Sequence, residues 1–229
     1  MKTFFPIIIA FVAALAVGTI INLYMNPNFS GFGGKESFGE PVVTHLPGAD
    51  NGSAGASGEK AGPYDWQEHP VFVVGDSLTQ GARSAIAGTI SGATIDGKQS
   101  RNMSEGLRII QGWDSDGALT DDAIIVVCLA HNITDGTLKD AEKIVEMIRP
   151  GQSLIMMTGH GRSNMIPINE YIRSLPRAYA YITVADWDLT IGQSTGLLSD
   201  DGIHIAKKQG NDLYAELILR ALEVTKPMP

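Results

Sequence analysis

From residue 71 to the C-terminus, short uninterrupted apolar runs alternate with segments of helical periodicity. The runs are Val71–Val74, Ala93–Ile95, Ala123–Leu129, Ser153–Met157 and Tyr181–Ala185. Between them lie Leu78–Ile90, Asn102–Gln111, Leu138–Ile148 and Pro167–Leu175, and an amphipathic segment from Lys207 to Val224 closes the series. A strand buried on both faces has no polar side to alternate with, so it shows as a continuous β-branched run. Strand–helix alternation of this kind builds a parallel sheet with helices on both faces. The pattern predicts a three-layer α/β/α, flavodoxin-like domain over 70–229 with a five-stranded parallel sheet.

Upstream the pattern changes twice. Phe4–Met25 is almost continuously apolar and follows Lys2, the only charged side chain before it. Roughly 20 apolar residues suffice to cross a bilayer as a helix. Ala14-Leu15-Ala16 and Ala16-Val17-Gly18 have the small-x-small form of a signal-peptidase site, yet the run continues through Ile20, Ile21, Leu23, Tyr24 and Met25. That length favours an uncleaved signal anchor, a single transmembrane helix over 1–25, above a cleaved signal that would release a secreted product. Lys2 and the α-amine place the N-terminus inside and the remainder of the chain outside the membrane. Residues 26–69 lose periodicity, and Asn51-Gly-Ser-Ala-Gly-Ala-Ser-Gly58 has the composition of a flexible linker. A tether is expected there.

Composition narrows the chemistry. A formal charge of −8 and no Lys/Arg cluster argue against a nucleic-acid partner, which requires concentrated positive charge. The single cysteine, Cys128, excludes an internal disulfide framework and cysteine-rich metal sites; inside the run Ala123–Leu129 it is expected to be a small buried hydrophobe. No His-Glu-x-x-His motif and no phosphate-binding glycine loop occurs. Asp114-Ser115-Asp116-Gly117 resembles half a calcium loop, but the later ligands and the closing glutamate are missing. Neither a metal nor a cofactor is expected.

In open parallel sheets the working residues lie at the carboxyl ends of the strands. Those ends supply Gly75-Asp76-Ser77-Leu78-Thr79, then Asp96-Gly97-Lys98-Gln99-Ser100-Arg101, then Ala130-His131-Asn132. Asp200-Asp201-Gly202-Ile203-His204 follows the last strand. Taken singly, each is an ordinary turn or helix cap. Together they bring a serine, an amide, a histidine and an aspartate to one edge, which is what acyl transfer requires.

Gly75-Asp76-Ser77-Leu78 after the first strand, with Asp201-Gly202-Ile203-His204 near the C-terminus, resembles the SGNH (GDSL-type) hydrolases, and Asn132 falls where that family has its third element. The resemblance covers about Val71 to Leu222. Ile95-Asp96-Gly97-Lys98, Asn169 and Asp186-Trp187 are similar to the extracytoplasmic SGNH domains associated with cell-wall O-acetyltransferases. The resemblance implies a triad of Ser77 as nucleophile, His204 as base and Asp201 as its orienting carboxylate. It also implies oxyanion donors from the backbone N–H of Ser77 and Ser100 and the amide of Asn132. Gly-x-Ser-x-Thr lacks the second glycine of the α/β-hydrolase elbow, so that fold is not assigned.

His131, His160 and Arg162 border these segments and are candidate substrate contacts. Trp187 is expected to pack near the triad-bearing loop. The function expected is an extracytoplasmic serine esterase or acyltransferase acting on O-acyl esters, O-acetyl above all, of cell-surface carbohydrate. The chain carries no multispan acyltransferase segment, so transfer would call on a separate membrane acyltransferase. The rival expectation is a catalytically weak glycan-binding or scaffold protein, because Ser100 and Ala130 stand where the family has glycine and bulky His131 adjoins Asn132.

Overall fold

The computed structural model describes residues 39–45 and 64–229. The expected anchor over 1–25 and the Asn51–Gly58 stretch lie outside the described residues. Among those described, no helix is long and apolar enough to cross a membrane.

The sheet contains β1 (Val43–Thr44), β2 (Val71–Gly75), β3 (Thr94–Gly97), β4 (Ile124–Cys128), β5 (Ser153–Met157) and β6 (Ile182–Ala185), in the order β1-β6-β5-β4-β2-β3. The pairs β2–β3, β2–β4, β4–β5 and β5–β6 are all parallel. Every residue of β2, β4, β5 and β6 is buried, which is why these strands are predominantly apolar and show no polar alternation. The principal helices are α1 (Ser77–Thr89), α2 (Met103–Ser115), α3 (Thr137–Glu146), α4 (Ile166–Ser174), α5 (Trp187–Gly192) and α6 (Lys208–Val224). Helix α1 packs on α6, while α2 packs on α3 and α3 on α4. The two groups form the outer layers demanded by right-handed crossovers.

The sheet is nevertheless mixed and six-stranded, not purely parallel with five. Val43 and Thr44 pair antiparallel with Ala185 and Val184. Without this addition β6 would present an open edge to other chains. Its attachment continues beyond the ladder: Asp186 N–H donates to the Val42 carbonyl at 2.8 Å, and Val42 N–H donates to Thr190 Oγ1 at 2.9 Å. Gly39 N–H donates to Ser194 Oγ at 2.8 Å. Two paired residues are too few to show a period, so composition alone concealed the strand.

Parts of the stretch expected to be a flexible linker over 26–69 belong to the described residues. Its described parts are built into the domain at both 39–45 and 64–69. The Trp66–Glu68 turn of 3-10 helix is capped by Asp65, and Tyr64 stacks on His69 with ring centroids 4.6 Å apart. His69 Nδ1 in turn lies 3.1 Å from Asp122 Oδ2.

Gly39 tests the docking of β1. A Cβ there would stand 2.5 Å from the Thr190 carbonyl oxygen and 2.7 Å from Gln193 Cβ. Gly39→Ala is expected to lower stability by about 1–3 kcal/mol, the usual cost of overpacking. Thermal unfolding measures this loss, and limited proteolysis should cleave the 39–45 segment faster than in the parent.

Candidate active site

The parallel strands run in the order β3-β2-β4-β5-β6, so the connections from β2 and β4 leave to opposite sides and open a crevice at their carboxyl ends. Asp76 follows β2 and caps α1: its φ and ψ are −96° and −150°, and its Oδ1 accepts from Leu78 N–H at 3.0 Å. The carboxylate is fully buried. This cap makes Ser77 the first residue of α1, where backbone N–H groups have no partner inside the helix.

His204 comes from the far end of the sequence. Leu198 and Ile205 form an antiparallel bridge, Ser199 N–H donates to the His204 carbonyl at 2.8 Å, and Gly202 N–H donates to the Ser199 carbonyl at 2.9 Å. Asp201 sits in the resulting loop. Its Oδ1 accepts from the Ile203 and His204 N–H groups, both at 2.9 Å, and from Ser199 Oγ at 2.8 Å. Its Oδ2 lies 2.5 Å from His204 Nδ1, and His204 Nε2 lies 3.0 Å from Ser77 Oγ. A carboxylate facing Nδ1 fixes the ring proton there and leaves the Nε2 lone pair for the serine hydroxyl. The His204 side chain and these backbone donors hold the Asp201 carboxyl well below the usual carboxylate range. The site is open: the side chains of His204 and Asp201 are 52% and 45% exposed.

The structure gives Ser100 a conformation that composition could not reveal. It is the only non-glycine with positive φ, +59°, among the described residues. Arg101 N–H donates to the Lys98 carbonyl at 3.2 Å, closing a turn with Ser100 third. That position of a type II turn calls for φ above zero. Serine therefore adopts the backbone that glycine would, at a strain of roughly 1–2 kcal/mol, and the main chain is not diverted.

Arg101 ties the neighbouring loops together and was missed in the sequence. Although 96% of it is buried (4% exposed), its Nη1 donates to the Gly75 carbonyl at 3.2 Å and also to the Asp96 carbonyl. Its Nη2 donates to Asp96 Oδ1 at 2.7 Å. The Arg101 carbonyl accepts from Asn132 Nδ2 at 3.0 Å, leaving the second hydrogen of that amide uncommitted. One arginine thus links the ends of β2 and β3 to the Asn132 loop. Its partners are mainly backbone carbonyls, which leave no mark on sequence periodicity.

Of the three candidate substrate contacts, His131 is corrected. It is buried, its Nε2 accepts from His160 N–H at 3.2 Å, and its Nδ1 faces Asp76 Oδ2 at 3.2 Å without the alignment of a hydrogen bond. The ring is turned into the protein, between the cap of α1 and the loop after β5. Ala130 is buried in the core as well. His160 remains partly exposed, with Nδ1 2.8 Å from Asp188 Oδ1, and Arg162 is exposed at the start of the Ser163–Met165 turn. Between them, Gly161 has φ +111°, and a Cβ there would stand 2.7 Å from the Gly202 carbonyl oxygen. The loop after β5 therefore presses directly on the loop that carries Asp201 and His204. Asn169 holds the base of this loop, accepting from Gly159 N–H at 2.8 Å and donating to the Gly159 carbonyl at 2.7 Å. Trp187 is fully buried, edge-on to Tyr214 of α6 at 5.0 Å.

No family model matches the chain. A Bacillus subtilis protein bearing the name "Putative peptidoglycan O-acetyltransferase YrhL" is 25% identical over 153 residues, covering 67% of this chain and 24% of that protein. The chain thus spans only a minor part of that relative's length. Among solved structures, the C-terminal catalytic domain of Streptococcus pneumoniae peptidoglycan O-acetyltransferase A, with a methylsulfonyl adduct, is similar at a TM-score of 0.62 and 22% identity, over 68% of this chain and 93% of that one. A lipolytic protein of the G-D-S-L family from Veillonella parvula gives 0.56 and 17%, over 66% and 97%. A family 3 carbohydrate esterase from Talaromyces cellulolyticus gives 0.52 and 15%, over 69% and 100%. The resemblance to SGNH/GDSL-type proteins read from the motifs extends to the backbone: the chain shares their α/β fold.

Two outcomes test this geometry. Arg101→Lys keeps the charge but loses the fork that reaches both strand ends; turnover of p-nitrophenyl acetate should fall about 100-fold, the scale of a misplacement near 1 Å. For Asp201, a depressed folded-state pKa stabilises the fold above the unfolded value near 3.9. The stability margin over Asp201→Asn should be full at neutral pH, begin to narrow as the pH falls below about 4, and vanish only below the depressed folded-state value, as followed by urea midpoints stepped down in pH from 7.

Proposed function

We propose that the chain is a membrane-anchored, extracytoplasmic serine esterase or acyltransferase that acts on O-acetyl esters of cell-surface carbohydrate through a covalent acyl-serine. The observation that carries this reading is the continuous path from Ser77 Oγ to His204 Nε2 and from His204 Nδ1 to Asp201 Oδ2, at 3.0 and 2.5 Å.

The chemistry follows from those contacts. Ser77 Oγ attacks the ester carbonyl as its proton passes to His204 Nε2, and Asp201 stabilises the imidazolium. The carbonyl electron pair moves onto oxygen, where the Ser77 and Ser100 N–H groups and the free hydrogen of the Asn132 amide are the donors. Collapse expels the sugar oxygen, which takes the proton from His204. Water or a second sugar hydroxyl then attacks the acyl-serine through the same base, giving free acid or a new ester.

Carbohydrate is supported by the named activities of the similar proteins, two concerned with peptidoglycan and one with carbohydrate esters. The openness of the triad suits a polymer better than an enclosed pocket would. The extracytoplasmic location rests on Phe4–Met25. The positive φ of Ser100, the burial of Ala130 and the direction of His131 toward Asp76 support this reading over that of a weak binder.

Ser77→Ala and His204→Ala are expected to remove turnover of p-nitrophenyl acetate by about 10⁶-fold, and Asp201→Asn by a smaller factor near 10⁴. Retention of parental activity by a folded Ser77→Ala protein would rule out the acyl-serine. Adding chito-oligosaccharide and analysing the products by mass spectrometry separates transfer, which yields acetylated sugar, from hydrolysis, which yields acetate.

A further inference from the structure

A second imidazole–carboxylate pair stands at the same edge, and the acyl-transfer chemistry makes no use of it. His160 Nδ1 lies 2.8 Å from Asp188 Oδ1. The other oxygen of Asp188 accepts from Arg173 Nη2 at 2.9 Å, and Arg173 also grips buried Asp186 through Nε at 2.6 Å and Nη2 at 2.8 Å. Burial alone would raise the Asp188 carboxyl, but the hydrogen bonds from Arg173 and His160 outweigh it and hold it below its usual value. The carboxylate facing Nδ1 is thus fixed, so Nε2 carries the lone pair. No hydrogen bond to His160 Nε2 occurs among the described residues, and the side chain is 27% exposed.

Its position is as restricted as its tautomer. The His160 N–H is bound by His131, next to Asn132, and Gly161 abuts the Gly202 carbonyl in the loop between Asp201 and His204. The fold already uses the backbone of His160. An imidazole with one nitrogen pinned by a three-residue ionic chain and the other left open adds nothing to that backbone role. It does provide a preoriented acceptor beside the triad.

We propose that His160 is a carbohydrate-binding residue, its Nε2 accepting a hydrogen bond from a hydroxyl of the sugar that carries or receives the acyl group. This rests on the acyl-serine reading for the identity of the ligand. Asp188 and Arg173 are positioning residues that act through His160. A hydroxyl bound there is held relative to Ser77, which lowers KM for a glycan ester while giving no benefit to an ester that lacks a sugar.

The experiment compares kcat/KM for an O-acetylated N-acetylglucosamine oligomer with that for p-nitrophenyl acetate, using the full chain. His160→Gln should lower the ratio of the two about tenfold, mainly through KM of the sugar ester, and Asp188→Asn should lower it by less. A parallel fall on both esters, with the ratio unmoved, would overturn the proposal by showing that His160 only supports the loop. Calorimetric titration of unacetylated oligomer into Ser77→Ala protein gives an independent readout, in which adding His160→Gln should weaken binding about tenfold. Equal affinity in the two proteins would also overturn it. Weakened binding alongside undiminished turnover by Ser77→Ala would sustain the His160 site and reject the acyl-serine instead.

Discussion

The hydrogen bond between Ser77 and His204 joins positions 127 residues apart, and the rest of the edge is arranged around closing it. Ser77 is placed by a short-range device, the Asp76 cap at the start of α1. His204 is placed by a different one, a small hairpin whose Asp201 carboxylate collects three hydrogen bonds on one oxygen before the other meets the imidazole. Neither device senses the other. Their meeting depends on the parallel sheet, which brings the start of α1 and the loop before α6 to the same end, and on the packing of α1 against α6.

Loops at such an edge carry few apolar contacts, so polar side chains bind them to one another. Arg101 joins the ends of β2 and β3 and receives the Asn132 amide on its carbonyl. His131 accepts from the His160 N–H, Asn169 clamps Gly159, and Arg173 holds Asp186 and Asp188. Each buried polar group is costly unless matched, and for that reason a matched set confines the loops to few arrangements. A site that must stabilise charge at a definite point benefits from that confinement. The αL strain at Ser100 is tolerated in the same way, since the surrounding bonds leave the turn no alternative.

Much of this was visible in the residues alone. Continuous apolar runs located the five parallel strands to within a residue or two; in β2, β4, β5 and β6 burial on both faces removes any polar alternation, whereas the edge strand β3 is only partly buried. The Ser77, Asp201 and His204 segments were legible because turn chemistry at strand ends has local signatures. What escaped was non-local or too short to have a period. Val43–Thr44 is a strand only because β6 offers an edge, and α5 is six residues long. Arg101 resembled any arginine of a loop, and His131 a substrate contact, since neither shows in sequence which carbonyl or carboxylate it faces. Asp188 and Arg173 become a support for His160 only once three separate segments are folded together.

The central claim is that Ser77 carries the acyl group between ester and acceptor. Its most direct test is to quench the full-length protein in acid during steady turnover of p-nitrophenyl acetate and map acetylation by peptide mass spectrometry. The account predicts acetyl on the peptide containing Ser77, at the Ser77 hydroxyl, decaying when substrate is exhausted. Acetyl on a different residue that forms and decays at the catalytic rate, with Ser77 unmodified throughout, would contradict it.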